Sequence, residues 1–268
     1  MKQFWPTLVT VLWGAYAIGT VVLVIFVQLT GLLSGKLLLP LTTIFFFLFS
    51  LTHAISTLGR RNALLLFGIT FVVSLLFESV NLLTGGLVFG PLIYTHKLGL
   101  KVFELVPLLI PVTWFTVGYL SLLIAERMVG REQLTLGRII KLALLAAVIL
   151  TAWDLGMDPM MVSKQYWIWK VDGYYFGIPL QNYFGWLITS FFFFAAYLAI
   201  SKRWHPSPWG PITRRMALLP PLAYALMLLS TTIVNLDLGL TSAGIVGFVA
   251  MGSFAVYWLD RVYKDRSP

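Results

Sequence analysis

The sequence predicts an all-α fold, a polytopic bundle of about eight transmembrane helices in a single integral membrane domain over residues 1–268. Hydrophobic residues make up 59% of the chain and charged residues only 11%, whereas soluble domains average roughly 25% charged residues. Apolar runs of about 20 residues recur, and a helix of that length crosses about 30 Å of hydrocarbon. Because a backbone in lipid must satisfy its own hydrogen bonds, such runs predict helices rather than an open sheet.

The predicted spans follow one another along the chain with short polar connections. They cover about 5–28, 38–58, 63–83, 105–125, 136–155, 183–200, 215–234 and 238–259. The first span follows Lys2 and resembles a signal peptide, but its apolar stretch continues to about Val27 with no small-residue cleavage site after it. We therefore expect a retained first helix. The chain contains no cysteine, which excludes disulfides, thiolate metal sites and a cysteine nucleophile.

The net charge of +9 indicates membrane topology rather than nucleic-acid binding. With eight spans, both termini and the even-numbered loops share one side, and 14 of the 19 basic residues fall there. Cytoplasmic loops carry an excess of Lys and Arg. The sequence thus predicts a multi-pass protein of the cell membrane, surrounded by the lipid bilayer, with both termini cytoplasmic.

Two stretches of the chain have nearly the same order of motifs, which predicts a parallel internal repeat. Each begins with an acid near the outer end of a helix, Glu78 in the first copy and Asp154 in the second. A loop rich in glycine and aromatic residues follows, and then a Pro-Leu pair with a tryptophan seven residues after the proline, Trp114 and Trp186 respectively. Transporters contain such repeats, although Trp also recurs at membrane interfaces for other reasons. The predicted units are about 63–125 and 136–200.

Three acids within these stretches are the candidates for catalysis. Glu78 and Asn81 share one helix face, and so do Asp154 and Asp158, which are four residues apart. Pro159 predicts that the helix ends near Asp158. A carboxylate in hydrocarbon costs about 2.5–3.5 kcal/mol, so it indicates function by default, and two acids one turn apart can act as acid and base. The structural alternatives are an interhelical clamp at Glu78 and a solvated helix end at the Asp pair.

Polar and aromatic residues of both loops and of the sixth span point to the same region. Tyr94 and Tyr175 occupy comparable places in the two loops and could hold a water. Asn182 and Trp186 are four residues apart on one helix face. The structural alternative for each is an ordinary interfacial belt. Neither His53 nor His205 has a partner at metal-ligand spacing, so no metal site is predicted.

The Asp-x-x-x-Asp pair is also compatible with Mg²⁺ and a diphosphate, because Mg²⁺ is commonly held by one or two carboxylates plus substrate phosphates. That pattern favours a membrane prenyltransferase. The first copy has no matching acidic cluster, however, and few basic residues lie nearby.

Several motifs between about residues 75 and 190 together resemble the membrane carotenoid-biosynthesis protein family, whose members include carotenoid hydratases. The motifs are Gly90-Pro91-x-x-Tyr94-Thr95-x-x-Leu98-Gly99, Val106-Pro107-Leu108, Thr151-Ala152-Trp153-Asp154-x-x-x-Asp158-Pro159 and Gly173-x-Tyr175-x-Gly177-Ile178-Pro179-x-x-Asn182-x-x-Gly185-Trp186.

The resemblance implies a hydro-lyase of the carotenoid 1′,2′-hydratase type, which adds water across the terminal C=C of an acyclic carotenoid without a cofactor. An isolated alkene is a poor base, so it needs a carboxylic acid kept protonated in an apolar site. Our hypothesis is that Asp154 donates the proton, with Glu78 and Asp158 as competing candidates. The cation site is expected to be lined by Trp153, Trp186 and Tyr175, and the water to be oriented by Asn81, Tyr94 and Asn182.

The expected partners are the acyclic carotenoid substrate, the bilayer and other membrane enzymes of the same pathway, with no nucleic acid. Two other functions stay open from the sequence. One is the prenyltransferase, which requires Mg²⁺ and releases diphosphate. The other is a non-enzymatic carrier of carotenoids or lipids, in which the repeat and its polar groups serve alternating access.

Overall fold

The structure, a computed structural model, describes residues 4–32, 35–130, 133–201 and 214–264. Within these ranges lie eight helices, each long and apolar enough to cross a membrane, which confirms the predicted fold class. The helices are α1 (Phe4–Val22, extended by π-helical turns over Leu23–Leu29), α2 (Gly35–Leu58), α3 (Arg60–Leu83), α4 (Leu109–Val129), α5 (Leu136–Ser163), α6 (Leu180–Ser201), α7 (Arg214–Asp237) and α8 (Thr241–Lys264).

The helices α4 and α5 form the centre of the bundle, since they bury the largest share of their residues, while α1 buries the smallest share and lies at the periphery. The buried residues of α4 are largely aromatic and aliphatic, whereas those of α5 include several alanines. The central position of α5 explains why its two acids are buried rather than solvated at a helix end.

Two loops close one end of the bundle, which we call the loop side: residues 84–108 between α3 and α4, and residues 164–179 between α5 and α6. Four short strands form there, β1 (Leu92–Tyr94), β2 (Lys101–Val102), β3 (Val106–Pro107) and β4 (Trp167–Trp169). Strand β1 pairs with β4 in antiparallel register, and β2 pairs with β3. The side chain of Gln181 also donates to the carbonyls of Gly86 and Leu87 at 2.9 and 2.8 Å. The two loops therefore form one cap rather than two separate ones.

The structure corrects the expected end of the fifth span. The helix does not stop near Asp158 but continues through Pro159 to Ser163. A proline inside a helix has no N–H for the carbonyl four residues earlier, here that of Leu155. The hydroxyl of Tyr175 donates to that carbonyl at 2.9 Å. The helix can continue because a side chain from the next loop replaces the missing backbone donor.

A second proline in a helix is accommodated in the same way at the other end of the bundle. Pro220 of α7 has no N–H for the carbonyl of Met216, and Nε2 of the buried His53 lies 3.1 Å from that oxygen. A carbonyl only accepts hydrogen bonds, so Nε2 carries the proton and Nδ1 accepts from the hydroxyl of Tyr119 at 2.6 Å. His53 is therefore part of the helix packing. The other histidine considered from the sequence, His205, lies outside the described residues.

Candidate functional site

A cavity lies under the loop side. Helices α2 to α6 and both loops contribute to its wall, which is mainly aromatic and methionine-rich. Its polar or aromatic lining includes Glu78, Phe89, Tyr94, Trp114, Trp153, Asp158, Trp167, Trp169, Asn182 and Trp186. Two carboxyl groups on different helices thus face one apolar space.

Glu78 has a hydrogen-bond donor on each carboxyl oxygen. The hydroxyl of Tyr94 donates to Oε2 at 2.8 Å, and Nε1 of Trp114 donates to Oε1 at 3.4 Å. Burial raises the pKa of Tyr94 well above its ordinary value, and the neighbouring Glu78 carboxyl adds to the effect. The phenol therefore keeps its proton and remains a donor to Glu78. Two donors of this kind can stabilise Glu78 as a carboxylate without a cation.

Asp154 and Asp158 are joined by one amide. The Nδ2 atom of Asn182 donates to Oδ2 of Asp154 at 2.9 Å and to Oδ2 of Asp158 at 2.7 Å. Nε1 of Trp167 donates to the other oxygen of Asp158 at 2.6 Å. The remaining oxygen of Asp154 is buried and has no hydrogen-bond partner among the described residues. This asymmetry makes the two acids chemically different.

The acid pair is fully enclosed, with Asp154 at 0% and Asp158 at 1% exposure. Neither forms a salt bridge with a described Lys or Arg. Two negative charges buried side by side without a cation strongly disfavour each other. The arrangement therefore favours a pair that shares a proton over a pair of carboxylates.

Three tryptophans of the cavity wall pack against one another. Trp114 and Trp186 stack with ring centroids 4.0 Å apart and planes inclined by 19°. Trp153 packs edge-on against Trp186, with centroids 5.9 Å apart. The negative face of an indole attracts a cation by about 0.5–2 kcal/mol. The wall can thus stabilise positive charge on a bound hydrocarbon.

Six of the nine site residues predicted from the sequence line this cavity. They are Glu78, Tyr94, Trp153, Asp158, Asn182 and Trp186. The other three, Asp154, Asn81 and Tyr175, do not line it. Asp154 accepts a hydrogen bond from Asn182, and the hydroxyl of Tyr175 donates to the backbone of α5.

Asn81 holds the first loop rather than facing the cavity. Its Nδ2 donates to the carbonyl of Gly90 at 3.0 Å, and its Oδ1 accepts from the backbone N–H groups of Val88 and Phe89 at 3.1 and 2.8 Å. All three of these bonds fix the turn that follows α3. The structure gives Asn81 a loop-anchoring position, and its role in orienting water stays a prediction.

The sequence did not indicate two donors to the acids, Trp114 and Trp167. Trp114 had a signal, because it ends the first motif copy as Trp186 ends the second, and the structure stacks these two rings on each other. Trp167 lies in a loop whose many aromatic residues are typical of a membrane interface. Nothing in that pattern distinguishes Trp167 from Trp169, which follows two residues later.

Residues 37–254 of the chain match the family of carotenoid biosynthesis proteins. The chain belongs to this family. Over 131 residues it is 34% identical to bisanhydrobacterioruberin hydratase of Haloarcula japonica, an alignment that covers 48% of this chain and 42% of that protein. The chain thus matches less than half of the length of that curated relative. No solved structure matches it.

Proposed function

We propose that this family member is a carotenoid hydratase, a hydro-lyase that adds water across the terminal C=C of an acyclic carotenoid without a cofactor. One observation carries the proposal: two carboxyl groups from different helices, Glu78 and Asp158, face a single tryptophan-walled cavity in a membrane protein. Addition of water to an alkene needs an acid, a wall that tolerates a cation and a base for the water. The named relative's activity agrees with this chemistry.

In the first step of the proposed reaction, the acid pair gives a proton to the less substituted carbon of the terminal double bond. Asp158 is the donor that position favours, because it lines the cavity, whereas the hydrogen bonds to both of its oxygens favour its carboxylate form. Asp154 remains the competing donor, since one of its oxygens is uncommitted and Asn182 joins it to Asp158. The alkene's π electrons form the new C–H bond and leave a tertiary cation, which the faces of Trp153 and Trp186 stabilise.

In the second step, a water molecule adds to the cation and loses a proton to Glu78. The bonds from Tyr94 and Trp114 favour the carboxylate form that this step requires. The O–H proton of water moves to Glu78 while its oxygen forms the C–O bond, giving a tertiary alcohol. Proton exchange from Glu78 back to the aspartate pair then restores the starting state, so the sum is addition of one water.

The proposed orientation places both termini in the cytoplasm and the cavity in the outer half of the cell membrane. Arg60, Arg61, Arg127 and Arg138 lie at the ends of helices opposite the loop side. The two loops of the loop side contain four lysines, Lys97, Lys101, Lys164 and Lys170, and no arginine. An excess of arginine and lysine marks the cytoplasmic side. A reporter fused to the C-terminus that is active only in the cytoplasm tests this orientation.

The two predicted repeat units, about 63–125 and 136–200, remain part of the proposal. Each unit contributes one carboxyl group to the cavity lining, Glu78 from the first and Asp158 from the second. The tryptophans that end the two motif copies stack on each other in the same lining. Association with other membrane enzymes of the pathway is likewise proposed, because substrate and product are both insoluble in water.

Expression in a cell that accumulates lycopene, followed by mass analysis of the pigments, tests the function. We expect a gain of one water for each converted end, and no gain in cells that express Asp158→Asn at the same level. A gain of an isoprenoid unit would instead establish the prenyltransferase. Pigment bound and moved without a change in mass would establish a carrier.

A further inference from the structure

A second cavity adjoins the first. The two share part of their lining, so some side chains border both. The shared residues include Thr43, Thr113, Trp153, Met157, Met160 and Met161. Methionine is flexible and adapts to the shape of what it contacts. The three methionines therefore form a partition that can move aside.

The second cavity is elongated along the helices. Its lining on the first helix extends from Tyr16 to Gln28, which is roughly 18 Å at 1.5 Å of rise per residue. At its inner end the rings of Tyr16 and Phe46 stack with centroids 4.1 Å apart. At the loop side Gln28 bonds to Lys164 and, at 2.6 Å, to Asp237. The cavity thus ends at two stacked aromatic rings away from the loop side and at polar side chains on the loop side.

The wall of the second cavity suits a hydrocarbon despite its many hydroxyl groups. Thr20, Thr43 and Thr116 each donate to the carbonyl four residues earlier at 2.9 Å. Ser230 donates to the carbonyl of Met227 at 3.0 Å. These hydroxyl hydrogens are used within the helices, so the threonines can offer methyl groups to a ligand. No Asp or Glu lines the described wall of this cavity.

We propose that the second cavity is the binding site for the long chain of the substrate and sets the minimum chain length that is hydrated efficiently. This inference rests on the proposed function, since it assigns the reacting end to the first cavity. A carotenoid is a rigid rod with the reacting bond at its tip, so a pocket for the tip needs a continuation for the rod. The methionine partition lies where the rod passes from one cavity to the other.

Filling the second cavity tests the proposal with a matched control. Val24 lines this cavity, whereas Val21, one turn earlier on the same helix, does not and is 45% exposed. We expect Val24→Phe to lower hydration of lycopene about tenfold, because extra side-chain volume opposes the chain. Hydration of geraniol, a short isoprenoid alcohol that needs only the first cavity, should stay within about twofold. Val21→Phe should alter neither, and Val27→Phe repeats the test at another lining residue.

An equal loss on both substrates, or no loss on lycopene with either lining variant, would overturn the assignment. Retention of lycopene through purification gives a readout that does not depend on catalysis. If the wild type binds lycopene but hydrates neither compound, the proposed function fails. The pigment-to-protein ratio then decides the inference alone: a lower ratio for Val24→Phe than for Val21→Phe supports it, and equal ratios refute it.

Discussion

The hydrogen bond from Tyr175 to the carbonyl of Leu155 can be tested as a replacement for the backbone bond that Pro159 removes. Tyr175→Phe deletes only the hydroxyl and leaves a partly buried carbonyl without this donor. Leaving a buried acceptor unsatisfied costs about 1–3 kcal/mol. Because this site is only partly buried, we expect the lower end, a loss of about 1 kcal/mol in the free energy of unfolding.

Combining this change with Pro159→Ala isolates the mechanism. The introduced alanine supplies an N–H that can bond to Leu155, so Tyr175→Phe should then cost less than about 0.5 kcal/mol. The coupling energy between the two sites would be at least about 0.5 kcal/mol. Tyr174→Phe is the matched control, because Tyr174 is 94% exposed and should tolerate the change.

Thermal unfolding in detergent, followed by tryptophan fluorescence, measures all four members of the cycle. Hydration activity at a temperature where every variant is folded gives a second readout, since Pro159 follows Asp158 directly. The reasoning is refuted if Tyr175→Phe costs the same with and without Pro159. It is also refuted if Tyr174→Phe is as costly as Tyr175→Phe.

Three further changes separate the roles of the site residues. Asp158→Asn should lower the hydration rate by a factor of about 10²–10⁴, which is the usual contribution of a general acid. A larger loss with Asp154→Asn in the same assay would assign the proton donor to Asp154 instead. Tyr94→Phe removes the 2.8 Å donor to Glu78. Because a hydrogen bond to a charged group contributes about 1.5–3 kcal/mol, the rate constant should fall by tenfold or more with little change in KM. An unchanged rate constant would show that the bond has only a structural role. Gly185→Ala would place a methyl carbon 2.5 Å from the ring of Phe89. We therefore expect a loss of about 1–3 kcal/mol in the free energy of unfolding, measured by thermal unfolding. An equally stable variant would show that the loop between α3 and α4, which carries Phe89, can shift.

Sequence patterns predicted the helices well because hydropathy reports directly on what the bilayer requires. The eight spans and the common face of Asp154 and Asp158 follow from run length and helical periodicity alone. The end of α5 could not be predicted in this way. The rule that a proline ends a helix assumes that the freed carbonyl has no other donor, and the donor here is Tyr175, twenty residues further along the chain.

Side-chain pairing within the site depends on distances that the sequence does not contain. Asn81 and Asn182 look equivalent as polar residues near helix ends, yet one anchors a loop and the other joins two acids. The repeat singled out Trp114, but the donor roles of Trp114 and Trp167 became clear only from their indole nitrogens, which face carboxyl groups. These distinctions arise from how the helices and the two loops pack against one another near the loop side.

The bridge from Asn182 to the aspartate pair has a consequence for how the protein is made. Helix α5 leaves the ribosome before its partner, so for some time it carries two acids that nothing in the nascent chain neutralises or bonds. Each acid at membrane depth costs about 2.5–3.5 kcal/mol on insertion scales. Asn182 and Trp167, which bond to these acids, follow within 28 residues of Asp154. Helices α5 and α6 are therefore expected to enter the bilayer together as a hairpin, and α5 alone should integrate poorly.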